Sequence, residues 1–178
     1  MSAIQIKDLT FVPYINEPEL LEAINQVAQK INTDYKGKDV LFIGILNGVF
    51  MFASEMMKRI DLKCQISFVK LSSYDGTQTT EVVKQLFGLV ESVEGKHVII
   101  LEDIVDTGIT IDGLYNDLLK QNPASLEICT LFFKPDKYTK DVPLKYIGRS
   151  IPNDFIVGFG LDYDGYGRNI PMIYQLKP

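Results

Sequence analysis

Hydrophobic and polar residues follow two different periods along the chain, which predicts helices and strands in turn. Residues 17–31 carry apolar side chains at helical spacing, after Asn16 as a candidate N-cap and with Pro18 in the first turn. Residues 40–46 form a continuous apolar run typical of a buried strand, and residues 50–60 return to helical spacing. Other segments predict strands at 66–71, 85–90, 98–101, 126–133, 155–161 and 172–174, and a helix around 114–119. This alternation predicts an α/β fold with a mostly parallel sheet flanked by helices.

Two segments depart from this regular pattern. Residues 72–84 are polar and lack periodicity, so we expect a mobile loop there. Beyond Lys134 the chain becomes rich in Pro, Gly, Asp and Tyr, and we expect this part to lie over the sheet rather than to form a new core. No repeat, low-complexity tract or linker interrupts the sequence. We therefore expect residues 1–178 to form a single domain.

Charge and composition exclude several classes of protein. The 178 residues include 18 basic and 23 acidic ones, which give a net charge of −5 and argue against binding to nucleic acid or to an anionic membrane. The N-terminus does not resemble a signal peptide, and no window of about 18 apolar residues predicts a membrane span. We expect a cytoplasmic protein. Cys64 and Cys129 lie far apart in apolar runs, which favours two buried thiols over a disulfide or a zinc site.

The segment from residue 98 to residue 110 carries the clearest chemical signal. A buried apolar strand leads directly into Glu102 and Asp103, and an Asp-Thr-Gly-x-Thr sequence at 106–110 then opens a helix. In open α/β sheets ligands bind beyond the carboxyl ends of the strands, so both carboxylates should lie where a ligand would bind. The 106–110 loop offers a glycine, two hydroxyls and free N–H groups at a helix N-terminus, which suit a phosphate group.

Paired carboxylates beside a phosphate site suit a vicinal diol and a hard cation such as Mg²⁺. Phosphate and diol together predict a ribose 5-phosphate ligand. A simpler interpretation is that Thr110 and Asp112 only cap the helix, while the acidic pair is solvated surface. The complete pattern, however, closely resembles the phosphoribosyl-diphosphate signature of the type I phosphoribosyltransferases, and most of the chain is similar to their hypoxanthine(-guanine) branch.

The resemblance implies the fold of that family, in which a twisted, mostly parallel sheet carries a small hood of C-terminal and N-terminal segments over the strand ends. It also implies roles for particular residues. Phosphoribosyl diphosphate would be bound by Leu46, Asn47, Gly48, Glu102, Asp103, Asp106, Thr107, Gly108, Ile109, Thr110 and Arg168. The purine would be bound by Lys134, Phe155, Ile156 and Asp162, and the catalytic lid would contain Ser73 and Tyr74.

The resemblance further implies an activity. A 6-oxopurine base and phosphoribosyl diphosphate would react to give a nucleoside 5′-monophosphate and pyrophosphate. Mg²⁺ would be the cofactor, with Glu102, Asp103 and Asp162 as metal contacts, and Asp106 would accept the purine N7 proton. The family usually self-associates, so we expect a homodimer or homotetramer. Asn47 and Ile109 stand where many relatives carry lysine, which removes two cations from the diphosphate region.

Two other functions also fit parts of the pattern. A regulatory protein of the same fold would bind phosphoribosyl diphosphate or a nucleotide without transfer, but the sequence keeps Asp106, Lys134, Asp162 and Arg168 and has no basic DNA-binding extension. A phospho-acceptor signalling domain also pairs carboxylates at a strand end and carries a Lys-Pro like that at 134–135. In such domains the acidic pair follows the first strand, whereas here it lies at residues 102 and 103.

Overall fold

The computed structural model describes residues 2–73 and 83–178, without the side chains of residues 72, 73 and 83–87. In this part of the chain the strands are β1 (Ile4–Ile6), β2 (Leu9–Ile15), β3 (Asp39–Leu46), β4 (Lys63–Ser73), β5 (Val83–Phe87), β6 (His97–Val105), β7 (Ser125–Phe133), β8 (Tyr146–Ser150), β9 (Ile156–Val157) and β10 (Ile173–Leu176). The helices are α1 (Glu17–Asp34), α2 (Phe50–Met57) and α3 (Ile109–Leu119), and a single 3₁₀ turn spans Pro135–Lys137.

The main sheet has the strand order β5-β4-β3-β6-β7-β8. Its strands are parallel except for β5, which pairs antiparallel with β4. The central strands β3 and β6 are apolar and buried along most of their length, because helices cover both faces of a parallel sheet. The predicted α/β fold with a mostly parallel sheet is confirmed.

Helices α1 and α2 pack on one face of the sheet, and α3 packs on the other. Leu20, Ile24 and Phe52 belong to one buried cluster with sheet residues such as Ile99, whereas the apolar side of α3 joins the opposite cluster. Helix α1 begins at a capping box, in which the Glu19 N–H donates to Asn16 Oδ1 (3.0 Å) and the Asn16 N–H donates to Glu19 Oε2 (3.1 Å). Asn16 is thus the N-cap that the sequence predicts.

A second, antiparallel sheet forms the hood that the family resemblance implies. Its order is β1-β2-β10-β9, so it joins the N-terminal and C-terminal segments. A separate apolar cluster that includes Phe11 and Val157 holds it together. The turn after β9 approaches the end of β3, because an added Cβ on Gly160 would overlap the carbonyl oxygen of Gly48. The hood therefore lies over the carboxyl ends of the parallel strands.

The structure corrects several of the predicted elements. The apolar run 155–161 is not one strand, because only Ile156–Val157 is extended and Gly158 and Gly160 then adopt φ values of +104° and +101°. Strands β1, β2 and β8 were not predicted. We expected a mobile loop at 72–84, but its two ends are part of the sheet. Ser72 and Ser73 at the end of β4 pair with residues 83–84 at the start of β5. Tyr74 and the other residues of 74–82 lie outside the described residues.

No helix in the described ranges is long and apolar enough to cross a membrane.

Candidate active site

The two predicted carboxylates lie near the end of β6, where Asp103 is buried and Glu102 is half-buried. Glu102 lines a small cavity of about 130 Å³ over the 104–111 segment, and its Oε2 has no hydrogen-bond partner among the described residues. Asp103 accepts a hydrogen bond from the Ile104 N–H (3.1 Å) and lies against Gly48, where any Cβ would overlap Asp103 Oδ2. The acidic pair therefore faces both the 104–111 segment and the loop that follows β3.

Burial changes the acidity of this pair. Loss of solvent raises the pKa of Glu102 well above its usual range, and the neighbouring Asp103 carboxylate raises it further. Burial also raises the pKa of Asp103, against the Ile104 N–H and the Arg168 charge, which both favour its anion. The pKa of Glu102 is raised further than that of Asp103, so proton loss from Glu102 is the costlier step when a ligand needs both carboxylates as anions.

The 106–110 loop presents a row of backbone donors at the start of α3. Gly108 has a φ of +85°, which turns the chain into the helix. Within the described residues, no N–H group from Thr107 to Ile111 donates to a backbone or side-chain acceptor. Five adjacent donors at a helix N-terminus form a site for an anion, since the helix dipole also favours negative charge there.

Asp106 lies between two lysines that come from beyond β7. Its Oδ2 is 3.4 Å from Lys134 Nζ and 3.3 Å from Lys137 Nζ, while its buried Oδ1 has no partner in the described part of the chain. The Lys134 side chain is only 7% exposed, whereas that of Lys137 is 39% exposed. The structure therefore brings the predicted proton acceptor and the predicted purine lysine together at one point.

The loop after β3 carries a cis peptide bond between Leu46 and Asn47. Asn47 is exposed, whereas Gly48 is buried between Asp103 and the hood residue Gly160. A side chain at Gly48 or Gly160 would separate these segments. The close packing thus keeps the loop next to the acidic pair.

The hood contributes Asp162 and Arg168, which form an ion pair of 2.6 Å. Arg168 also donates through Nη1 to the Gly160 carbonyl (2.7 Å), and Asp162 accepts from the Gly165 N–H (2.6 Å). These bonds fix the guanidinium beside the Gly48 loop, where its charge also acts on Asp103. Arg168 can therefore face an anion with little loss of side-chain entropy.

The predicted purine-binding residues of the hood differ in their accessibility. Phe155 is 43% exposed and packs against Phe11 and Tyr163, with ring centroids 6.0 and 5.9 Å away. Ile156 is buried in the core, so a ligand could meet its backbone but not its side chain. Tyr163 in turn donates to Asp8 Oδ1 (2.8 Å) in the turn between β1 and β2. The Phe155 ring is thus a supported aromatic surface.

Some predicted groups are not assembled. Among the described residues, no three His, Cys, Asp or Glu side chains form a ready metal cluster, so Glu102, Asp103 and Asp162 do not make a cage by themselves. Of the predicted lid, Ser73 ends β4 and Tyr74 is outside the described residues.

The sequence pattern did not predict Lys137 as a site residue, although the lysines at 134, 137 and 140 follow an apolar strand at a regular spacing.

Comparisons with known proteins identify the family of the chain. Residues 14–164 match the family described as "Phosphoribosyl transferase domain". The chain is 40% identical over 165 residues to the hypoxanthine-guanine phosphoribosyltransferase of Staphylococcus aureus strain Mu50, which covers 92% of each protein. It is also 40% identical over 172 residues to the same enzyme of Staphylococcus epidermidis strain RP62A, with 96% of each covered.

Solved structures extend the similarity to the fold. A crystal structure of a hypoxanthine phosphoribosyltransferase from Staphylococcus aureus superimposes with a TM-score of 0.89 at 39% identity, and covers 94% of this chain and 91% of that one. A hypoxanthine-guanine phosphoribosyltransferase from Bacillus anthracis gives a TM-score of 0.87 at 34% identity, over 97% of this chain and 99% of the other.

Proposed function

Since the chain belongs to the phosphoribosyltransferase family, we propose that it transfers the 5-phosphoribosyl group of phosphoribosyl diphosphate to hypoxanthine or guanine. The products are pyrophosphate and inosine or guanosine 5′-monophosphate, which is a purine salvage reaction. The observation that carries the proposal is the row of N–H groups at 107–111 that lack an acceptor among the described residues, next to both the acidic pair and the Asp106–Lys134 contact. The N–H groups suit a phosphate, the acidic pair suits a ribose, and Asp106 with Lys134 suits a base.

The sugar and its phosphate bind along the end of β6. The 5-phosphate accepts hydrogen bonds from the 106–110 loop and from the hydroxyls of Thr107 and Thr110. The ribose hydroxyls donate to Glu102 and Asp103; in the described part of the chain Glu102 Oε2 has no partner, and Asp103 Oδ1 accepts from the Ile104 N–H. This arrangement holds C1 of the ribose between the diphosphate and the base.

The residues fit a magnesium ion, which is the cofactor that we propose. Glu102 Oε2 is buried and has no partner in the ranges that the structure describes, and Asp103 adds a second carboxylate, so a hard cation has oxygen ligands here. Both oxygens of Asp162 already bind Arg168 and Gly165, so Asp162 offers only its remaining lone pairs. Mg²⁺ commonly binds one or two carboxylates together with phosphate oxygens and water. When bound, it neutralises charge on the departing pyrophosphate.

The diphosphate lies between the loop after β3 and the hood. The Asn47 and Gly48 N–H groups and the Arg168 guanidinium are the donors that this chain supplies to the leaving group. Arg168 is held in advance by Asp162 and the Gly160 carbonyl, so it needs no reorganisation during the reaction. Charge that develops on the leaving oxygens is thereby stabilised as the bond to C1 breaks.

Lys134 recognises the base, and Asp106 deprotonates it. The Lys134 ammonium donates to the 6-oxo group, and Asp106 accepts the N7 proton; their 3.4 Å contact supports the idea that one purine reaches both. The base stacks on Phe155, and it meets the backbone of Ile156. A positioned carboxylate of this kind accelerates a reaction by about 10² to 10⁴.

The remaining parts of the proposal concern water exclusion, assembly and location. Ser73 and Tyr74 belong to a lid that closes over the substrates and excludes water from the cationic transition state. The family resemblance also supports a cytoplasmic enzyme that assembles as a homodimer or homotetramer, which size-exclusion chromatography with light scattering would test.

The direct test is pyrophosphate release from phosphoribosyl diphosphate in the presence of Mg²⁺ and hypoxanthine, guanine or xanthine in parallel. We expect turnover with hypoxanthine or guanine, and loss of turnover when EDTA removes the metal. Binding of phosphoribosyl diphosphate without turnover on any base would instead favour a regulatory protein on the same fold.

A further inference from the structure

Two cations share one carboxylate oxygen at the site. Lys134 Nζ and Lys137 Nζ both lie within 3.4 Å of Asp106 Oδ2. Lys134 is buried and is the group that the proposed function assigns to the base, so Asp106 is its counterion in the free protein. Lys137 is partly exposed, and Asp106 can neutralise only one of the two lysines. The group therefore keeps a formal positive charge beside the 106–110 loop.

Lys137 is held close to that loop by its own segment. Lys137 ends the 3₁₀ turn, and the Tyr138 ring then packs on Gly108, where an added Cβ would overlap it. Thr139 donates twice to the Thr107 carbonyl, from its N–H (3.2 Å) and from its Oγ1 (3.2 Å). Segment 134–140 thus packs directly on the loop that contains the free N–H groups. These contacts hold the backbone of Lys137 near the loop, and its Nζ reaches Asp106 at the first position of that loop.

The 106–110 loop itself has donors but no cation. Its residues are Asp, Thr, Gly, Ile and Thr, and the first turn of α3 adds Asp112. A sugar phosphate carries nearly two negative charges at neutral pH, as other phosphate monoesters do. Backbone N–H groups and a helix dipole offset part of this charge, but a nearby ammonium adds charge-assisted hydrogen bonds.

We propose that Lys137 binds the 5-phosphate of the substrate and supplies the positive charge that Ile109 does not. The inference rests on the proposed function and identifies a residue that binds its substrate. The three donors of the ammonium allow it to contact Asp106 and the phosphate together. The phosphate keeps its charge and its place throughout the reaction, so we expect the Lys137 contact to be equally strong in the ground state and in the transition state, and such uniform binding changes affinity without changing kcat. Lys137 therefore governs substrate and product affinity, while kcat stays unchanged.

The test compares Lys137→Gln with the wild type in two measurements. Calorimetry with inosine 5′-monophosphate should show a Kd about tenfold higher, as for the loss of one charged hydrogen bond. Steady-state kinetics should show a similar rise in KM for phosphoribosyl diphosphate, with kcat and the KM for hypoxanthine within about twofold. Lys137→Arg should retain most of the affinity, because it keeps the charge.

Two further variants serve as control and rescue. Lys120→Gln removes the same charge from an exposed lysine at the end of α3 that pairs with Asp117, and it should leave both measurements unchanged. Ile109→Lys in the Lys137→Gln background returns a cation to the loop, and it should recover most of the lost affinity. Recovery would show that the charge itself is what the phosphate requires.

Other results would overturn the inference. If Lys137→Gln lowers kcat but leaves the Kd of the nucleotide unchanged, Lys137 acts through Asp106 on the base and not on the phosphate. If neither quantity changes while the wild type is active, Lys137 has no part in substrate binding. A wild-type protein that neither turns over nor binds the nucleotide would overturn the proposed function, and this inference with it.

Discussion

A methyl group added at Gly160 should lower the activity of the enzyme, because it pushes the hood away from the Gly48 loop. Gly160 has a φ of +101°, and its Cβ would overlap the Gly48 carbonyl oxygen and lie 3.2 Å from the Gly48 carbonyl carbon. The two backbones must therefore separate by roughly 1 Å or more, and a displacement of about 1 Å can reduce a reaction rate about 10²-fold. Because Arg168 donates to the Gly160 carbonyl, the guanidinium should move with the hood.

The expected result for Gly160→Ala is a fall in kcat/KM of about 10²-fold, measured as pyrophosphate release at saturating Mg²⁺. A positive φ also strains alanine, by about 1–3 kcal/mol, and this cost needs its own control. Gly37→Ala supplies it, since Gly37 has a φ of +78° and no described residue lies within 4 Å of an added Cβ. Both variants should lower Tm, but only Gly160→Ala should lose activity.

A functional role of the contact between the hood and the Gly48 loop would be refuted if Gly160→Ala kept activity within a few fold of the wild type. It would also be refuted if Gly37→Ala lost as much activity, because backbone strain alone would then explain the effect. Equal Tm values with unequal activities would give the clearest support for a direct contact between the hood and the Gly48 loop.

Three other predictions concern the acidic residues and the lid. Asp106→Asn should lower kcat by about 10² or more while calorimetry still detects nucleotide binding; near-normal kcat would assign the proton to another group. Burial raises the pKa of Glu102, so the folded protein loses stability as pH rises through that pKa. Glu102→Gln removes this loss, so in EDTA it should raise Tm, and by more at pH 8 than at pH 5. A gain independent of pH would contradict this. Residues 72–84 should gain hydrogen-exchange protection when substrate analogues bind, and equal protection would refute the lid.

The parallel strands could be predicted from the sequence because their signal is local. Strands β3, β6 and β7 are buried on both faces, so each appears as an uninterrupted apolar run. The acidic pair and the 106–110 loop could be placed for the same reason, since a strand end and a helix start are both visible in the pattern. The predicted N-cap of α1 is likewise a local signal.

The hood could not be predicted in this way. Residues 155–161 look like a strand, but Gly158 and Gly160 turn the chain because Met172 and Gly48 approach them from distant parts of the sequence. Strand β8 is a partly exposed edge strand with a weak apolar pattern, and β2 contains Pro13. The second lysine on Asp106 depends on a 3₁₀ turn that returns the chain to the site. Contacts of this kind leave no periodic signal.

Discrimination between two bases shows whether this site selects a 6-oxopurine through Lys134. The measurement is kcat/KM for hypoxanthine and for adenine in the wild type and in Lys134→Met. Adenine would present an amino group to a buried ammonium, which leaves both donors unpaired, so the wild type should prefer hypoxanthine by about 10⁴ or more. Lys134→Met should lose most of that preference, and far more hypoxanthine turnover than Phe155→Leu. Comparable values for adenine and hypoxanthine in the wild type would contradict the account.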